Sequence, residues 1–439
     1  MQISPSLVLT RRFGPLFATQ MLGAFNDNLF KTVMVLFVTY AVFDNPAIET
    51  QFNAIATGLF ILPFFLLSAL SGQLADTRDK AKIVRLVKTA EILIMLVGAT
   101  GIMLSSIALM LSAVFAMGIH STFFGPIKYA LLPQHLAPEE VLGGTGLVEA
   151  GTYIAILGGT LLAGLIYDLK AVSAAAVLLI AGIGWVSARF VPPAPPILVD
   201  GRAPPIDFHV VRSSWRLVSE TMHIRRLFLA IIAISFFWAI GSVLIVEFPP
   251  LVKNTLTADG RVASLFLGIF SVGIAIGSIV INRLLAGRVS ARFAPPAVIL
   301  MGGFVILLYF VAASWDRLPG EQLYSFGAFM AHPGAPLLIV SLLGVAVCGG
   351  AFVVPLYAFI TTTVPKDRTA RTVAANNIVN SGAMVLGSLV MMGLSAVGVS
   401  VTDALLVVSV MCVFSAWIAW RLHKACDGPL ATPLASMAE

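Results

Sequence analysis

Apolar positions run in long unbroken stretches, and polar residues are confined to the short intervals between them. The stretches fall at about 14–42, 52–75, 83–104, 106–131, 142–166, 171–190, 227–250, 262–286, 294–314, 335–360, 372–397 and 402–421. A helix needs about 20 apolar residues to cross a bilayer, and each stretch reaches that length. Closed barrels would show short segments of alternating polarity instead, and none is present. The pattern predicts an all-α membrane protein with twelve transmembrane helices in two six-helix bundles. One polar interval is long, at about 191–225. It opens with Pro192, Pro193, Pro195 and Pro196 and continues with Pro204 and Pro205, so its start is extended and stiff. From Phe208 to Arg226, the apolar Trp215, Leu217, Val218 and Met222 alternate with Arg212, Arg216, Arg225 and Arg226, which suits an interfacial amphipathic helix. The predicted domains are an N-terminal bundle at 1–190, a cytoplasmic linker at 191–225, a C-terminal bundle at 226–424 and a tail at 425–439.

Composition sharpens this. Of 439 residues, 59% are hydrophobic and 11% charged, against about 25% charged in a soluble domain. That excludes a soluble enzyme, a disordered chain and a single-span anchor. The net charge of +6 does not point to nucleic acid, because the basic residues sit at helix ends. With both termini cytoplasmic, the positive-inside rule is satisfied: of the 27 Lys and Arg residues, Lys170, Lys253, Arg261 and Arg317 fall in outer loops and Lys31 inside the first span. Arg11 and Arg12 precede that span with no small-residue cleavage site after it, so it reads as a span rather than a removed signal peptide. Cys348, Cys412 and Cys426 lack metal-ligand spacing. Gly143-Gly144-Thr145-Gly146 completes no dinucleotide fingerprint, and the chain carries no GxxxxGK[ST], nucleophile elbow or HExxH. No metal, no cofactor and no enzymatic activity are expected.

A short internal repeat supports two related halves. Leu147-Val148-Glu149-Ala150-Gly151 in span 5 parallels Ile378-Val379-Asn380-Ser381-Gly382 in span 11, equivalent positions in a six-plus-six duplication. Gly72-Gln73-Leu74-Ala75-Asp76-Thr77-Arg78-Asp79-Lys80 closes span 2 and resembles the signature loop of the major facilitator superfamily. A conformational latch is expected there, with Gly72 allowing close approach and Asp76 and Arg78 meeting the start of span 11 at Arg371. A plain solvated turn is the alternative.

Ionisable groups at membrane depth are costly and therefore functional candidates. Span 1 carries Asn26, Asp27, Asn28 and Lys31, with Asp27 and Lys31 four apart on one face and close enough to pair. Span 4 ends with Lys128 and Tyr129, and span 5 carries Glu149. A helix-gluing ion pair accounts equally for Asp27 and Lys31, and snorkelling accounts for Lys128. Glu247 is expected to reach the outer interface, Glu91 to sit near Lys88, and His120 to be a packed helix contact.

Phe25-Asn26-Asp27-Asn28-x-Phe30-Lys31, Gly125-Pro126-x-Lys128-Tyr129-x-x-Leu132-Pro133 and Gly146-Leu147-Val148-Glu149-Ala150, in this order, resemble the bacterial lysophospholipid transporters of the major facilitator superfamily. The likeness covers about residues 14–190 and is looser beyond. It implies a secondary transporter in the bacterial inner membrane that flips lysophospholipids such as lysophosphatidylethanolamine for re-acylation at the inner leaflet. A separate acyltransferase or acyl-carrier-protein synthetase would be its partner, and a monomer is expected. In that setting Lys31 and Lys128 would hold phosphate, Asp27 and Glu149 the head amine, with Asn26, Asn28, Tyr129 and Asn380 completing the substrate site among membrane lipid. Two other readings share the spans: an exporter of drugs or small amphiphiles with Asp27 and Glu149 as proton carriers, and a non-transporting scaffold that docks an acyltransferase through 191–225.

Overall fold

The structure is a computed structural model and describes residues 5–195, 206–285, 290–319, 322–362 and 366–427. Fourteen α-helices are described. They are α1 (Gly14–Ala41), α2 (Pro46–Thr77), α3 (Lys80–Met103), α4 (Ile107–His135), α5 (Pro138–Ile166), α6 (Lys170–Arg189), α7 (Val210–Met222), α8 (Arg225–Pro250), α9 (Gly260–Leu285), α10 (Ala294–Ala313), α11 (Phe326–Ala331), α12 (Ala335–Thr362), α13 (Lys366–Ala396) and α14 (Val401–Asp427). All but α7 and α11 are 20 residues or longer. Among the described residues, 11 helices are long and apolar enough to cross a membrane. In the remaining long helix, α5, the segment Ala150–Ile166 is apolar. The chain is a multi-pass membrane protein.

Helix ends follow local chemistry. Asp79 caps α3 by accepting from the amides of Ala81 and Lys82, and the Ser106 hydroxyl accepts from Leu109 at the start of α4. Pro138 opens α5, where its missing N–H costs nothing, and Glu140 reaches back to the Ala137 amide at 2.9 Å. Pro249 and Pro250 end α8. They cannot donate to the helix ladder, and the chain widens into a π turn over Leu251–Thr255, where the Leu256 amide bonds the Leu251 carbonyl at 3.0 Å.

The chain forms two compact units. One comprises Met1–Val42 and Leu59–Ser213, the other Phe43–Gly58 and Ser214–Glu439. Within the first, α1 packs on α5 and α6, and α3 on α4 and α6. Within the second, α8 packs on α13 and α14, and α10 on α12 and α14. These are the same four pairings six spans later, the three-dimensional counterpart of the short sequence repeat. Small residues make the close contacts in both units: a Cβ on Gly118 of α4 would collide with the Phe60 carbonyl of α2, and one on Gly350 of α12 with the Ile274 carbonyl of α9.

Phe43–Gly58, the first part of α2, groups with the second unit through a polar clasp. Glu49 is fully buried. Its carboxylate accepts from Lys253 Nζ at 2.7 Å and Asn254 Nδ2 at 2.5 Å, both in the π turn. Lys253 also donates to the Phe43 carbonyl at 2.6 Å. Helix α7 exposes Val211 and Trp215, with Phe208 just before it, one apolar stripe as expected of an interfacial helix. The Asp207 amide ties its start to Gln73 Oε1 at 2.7 Å. Arg189, Arg421 and Lys424 each lie over a tryptophan ring, of Trp185, Trp417 and Trp420, as basic and aromatic residues do at a membrane interface.

Candidate functional site

The first unit contains a buried polar network at the middle of three helices. Asp27 is the fourteenth residue of α1, Glu91 the twelfth of α3 and His120 the fourteenth of α4, so each lies about 16–20 Å along its axis at 1.5 Å per residue. Asn26 and Glu91 are fully buried, as is Lys88, and His120 nearly so. Glu91 is the hub. Its Oε1 accepts from Asn26 Nδ2 at 3.0 Å, and its Oε2 from Lys88 Nζ at 2.5 Å. His120 Nε2 lies 3.3 Å from the same Oε2. On its other side, His120 Nδ1 is 3.4 Å from Ser121 Oγ, which donates to Asp27 Oδ2 at 2.5 Å. One continuous chain of contacts thus joins Asp27, Ser121, His120, Glu91, Lys88 and Asn26.

The sequence makes room for it. A Cβ on Gly23 of α1 would lie 2.7 Å from Lys88 Nζ, so an uncluttered helix face lets the ammonium enter. Lys88 also lies over the Phe124 ring at 5.6 Å. Two acceptors stay open: Asp27 Oδ1 and Asn26 Oδ1 are buried without a hydrogen-bond partner. Such groups are costly unless a donor arrives.

The expected residues divide sharply. Asp27 and Asn26 belong to the network. Asn28 spends its amide on the Ala24 carbonyl of its own helix at 2.8 Å. Asp27 and Lys31 do not form the ion pair their spacing suggested. The carboxylate turns to Ser121 of α4, and the Lys31 ammonium lies over the Phe60 ring of α2 at 5.0 Å. Lys128 is half-buried on α4. The side chains of Tyr129, Glu149, Asp76 and Arg371 lie outside the described residues. The neighbours of Glu149 on α5 face α1: the Val148 carbonyl accepts from Gln20 Nε2 at 3.3 Å, and Thr152 Oγ1 donates to Gln20 Oε1 at 2.9 Å. In the expected latch loop, Gly72 is half-buried and Arg78 exposed. The acid there with a visible task is Asp79, which caps α3 and also accepts from the Ala194 amide at 3.4 Å.

Sequence reasoning placed Glu91 beside Lys88 but missed that they belong to the site, and treated His120 as packing. The available signal was the spacing of Lys88 and Glu91, three apart on one face of α3. Glu247 also departs from expectation. It does not reach the interface: it is 1% exposed, and neither carboxylate oxygen has a hydrogen-bond partner.

In the second unit, Asn380 of α13 is engaged at both ends of its amide. Ser235 of α8 donates to Oδ1 at 2.8 Å, and Nδ2 donates to Tyr357 Oη of α12 at 3.2 Å. Trp238 Nε1 donates to the same hydroxyl at 2.9 Å. Asn380 therefore knits three helices together. One turn earlier, Asn376 is fully buried with both amide atoms unpartnered.

Among the described residues no group of His, Cys, Asp and Glu could hold a metal ion.

Comparison with known proteins places this arrangement. The chain is 25% identical over 399 residues to the lysophospholipid transporter LplT of Salmonella heidelberg (strain SL476), spanning 87% of this chain and 86% of that one. It is 26% identical over 369 residues to the transporter of the same name from Enterobacter sp. (strain 638), spanning 82% of each. A POT family transporter solved with 5-aminolevulinic acid shares the fold at a TM-score of 0.70 and 12% identity, over 94% of this chain and 96% of that one. So does a bacterial homologue of the human lysosomal transporter Spinster, at a TM-score of 0.68 and 12% identity, over 94% and 97%. The profile of one family matches residues 16–320, and with it the chain belongs to the Major Facilitator Superfamily.

Proposed function

We propose that this protein is a secondary transporter that flips lysophospholipids, such as lysophosphatidylethanolamine, across a bacterial inner membrane by alternating access. The observation that carries this reading is the pairing on α1 of open acceptors with a lysine whose ammonium lies over an aromatic ring. Asp27 Oδ1 and Asn26 Oδ1 lack donors, and one turn on, Lys31 rests on Phe60. A lysophospholipid head brings both complements. Its ammonium and free glycerol hydroxyl are donors for Asp27 and Asn26. Its phosphate is an anion for Lys31, which acts as a point charge and exchanges a ring contact for an ion pair. Lys128, Tyr129 and Glu149 are assigned to the same head group, and Asn380 to the α8–α12–α13 framework of the second unit. Glu91, Lys88 and His120 position Asn26 and Asp27 from behind.

Both termini are assigned to the cytoplasm on the distribution of Lys and Arg, and Asp76, Arg78 and Arg371, with Gly72, to a latch at that face. The imported lipid would be re-acylated by a separate acyltransferase or acyl-carrier-protein synthetase. The relatives named as lysophospholipid transporters support the substrate class.

The test is uptake of labelled lysophosphatidylethanolamine into proteoliposomes. Asp27→Asn and Lys31→Gln should each cut initial uptake by about tenfold or more, the scale of losing one charge-assisted contact of ~1.4 kcal/mol or above. Wild-type uptake in both variants would refute the assignment. The chain of carboxylates, imidazole and hydroxyl from Glu91 to Asp27 also favours a second reading, a proton-coupled exporter of small amphiphiles. Efflux of a cationic dye driven by a pH gradient, without lysolipid movement, would select it.

A further inference from the structure

A cavity of about 370 Å³ opens on the first unit between α3 and α6, lined by Arg85, Leu86, Thr89 and Arg189. It lies at the end of α6 and the first half of α3, on the basic face of the chain. It shares no residue with the network around Glu91, and the transport reading does not use it.

Two arginines line this cavity, and among the described residues neither forms an ion pair. Arg85 donates Nη2 to the Val191 carbonyl at 3.0 Å, while its Nε is buried without an acceptor. A buried donor with no acceptor is costly, so Arg85 is held at this site by its Nη2 bond and by packing. Arg189 lies over Trp185, its Cζ 4.0 Å from the ring centre. Stacking occupies the face of a guanidinium and leaves its N–H edge open. Trp185 is fixed in turn: its Nε1 donates to Thr89 Oγ1 at 3.0 Å, and Thr89 donates to the Arg85 carbonyl at 2.8 Å. The two arginines are thus tied through one hydrogen-bonded scaffold across α3 and α6.

The flank of the cavity is greasy. Leu86 is 70% exposed, and Phe190, next to Arg189, is 65% exposed. On a membrane protein such side chains face acyl chains. Paired guanidiniums beside an apolar flank match a phosphate with hydrocarbon attached. Basic pockets between spanning helices commonly hold lipid head groups.

We propose that the Arg85–Arg189 cavity binds the phosphate of an anionic diacyl phospholipid from the leaflet at the basic face, as a resident lipid separate from the transported one. Both arginines take the phosphodiester oxygens. The acyl chains lie along Leu86 and Phe190.

The test is binding of phosphatidylglycerol to the purified full-length protein in neutral detergent, followed by native mass spectrometry and by thermal shift. Phosphatidylcholine and inorganic phosphate serve as the other arms. The wild type should retain phosphatidylglycerol in preference to phosphatidylcholine. Arg85→Gln and Arg189→Gln should each weaken retention about three- to tenfold, and Arg189→Lys should fall between, having the charge without the fork. Arg283→Gln, an exposed basic residue at the end of α9, should leave binding unchanged. Monodispersity on gel filtration checks that each variant is folded, and the lysine variant keeps the test intact if a glutamine variant is not. Equal binding of both lipids overturns the proposal. So does binding by both arginine variants within about twofold of wild type, an equal loss in Arg283→Gln, or displacement of the lipid by millimolar phosphate. None of these outcomes depends on whether the protein moves lysolipid.

Discussion

Glu91 carries the most consequence of any single residue. It is buried with Lys88 and His120 against it and Asn26 on its other oxygen. Removing one partner of a buried pair strands the other, at a cost of about 3–5 kcal/mol, whereas replacing both by apolar groups of similar size is often neutral. Glu91→Leu should therefore lower the thermal midpoint in detergent sharply, and Lys88→Met combined with Glu91→Leu should recover much of it. A double variant no more stable than Glu91→Leu alone would mean the pair is not the stabilising unit. Uptake should stay low in both, because Asn26 has lost the acceptor that aims it. Asp27 was legible in the sequence because a carboxylate in an apolar run stands out. Its true neighbour was not legible. Lys31 is one turn away on the same helix, and Ser121 is 94 residues away on another. Spacing along one helix fixes which residues share a face, and it cannot say which other helix that face meets.

At the scale of elements, the spans were readable because long apolar runs leave the backbone no alternative to helix in lipid. Their ends were less so. Pro249-Pro250 marked a stop, but the π turn after it, which presents Lys253 and Asn254 together to Glu49, depends on packing. The start of α5 offers a measurable case at the surface. Arg12 donates to both oxygens of Glu140, at 2.6 and 2.7 Å. This pairing first, and then the Ala137 amide, hold the Glu140 carboxyl below its ordinary value of 4.5. A carboxyl lowered in the fold contributes stability that is present above its unfolded value and fades as pH falls through the folded one. In a carbon-13 carboxyl titration, Arg12→Met should move the Glu140 midpoint up towards 4.5, and an unmoved midpoint would show that the pair does not form in solution. The network's remaining expectation, a proton carried by Asp27, belongs to the transport assay above.

The whole molecule repeats itself more plainly in space than in sequence. A five-residue likeness between spans 5 and 11, with Pro126 and Tyr129 matched by Pro355 and Tyr357, was the trace left in the sequence, yet four helix pairings recur between the units. Gly118 and Gly350 hold the corresponding place in each unit, where a Cβ would collide with the backbone of the neighbouring helix. The duplication has a testable corollary. A break between α6 and α7 leaves the described helices of both halves intact. Two polypeptides cut there and co-expressed should both insert and should co-purify, since the Phe43–Gly58 segment of the first belongs with the unit formed by the second. Lys253→Met, which removes the Glu49 clasp, should weaken that recovery, and full recovery would show the clasp to be dispensable. The depth at which Lys88 sits has one more effect. Its amine is sealed off on every side, while Lys82 a turn and a half earlier is open to water. An amine-acylating reagent will therefore mark the outer lysine at once and leave the inner one blank for as long as the bundle stays shut. Any mark on Lys88 then counts the moments at which this half of the protein breathes.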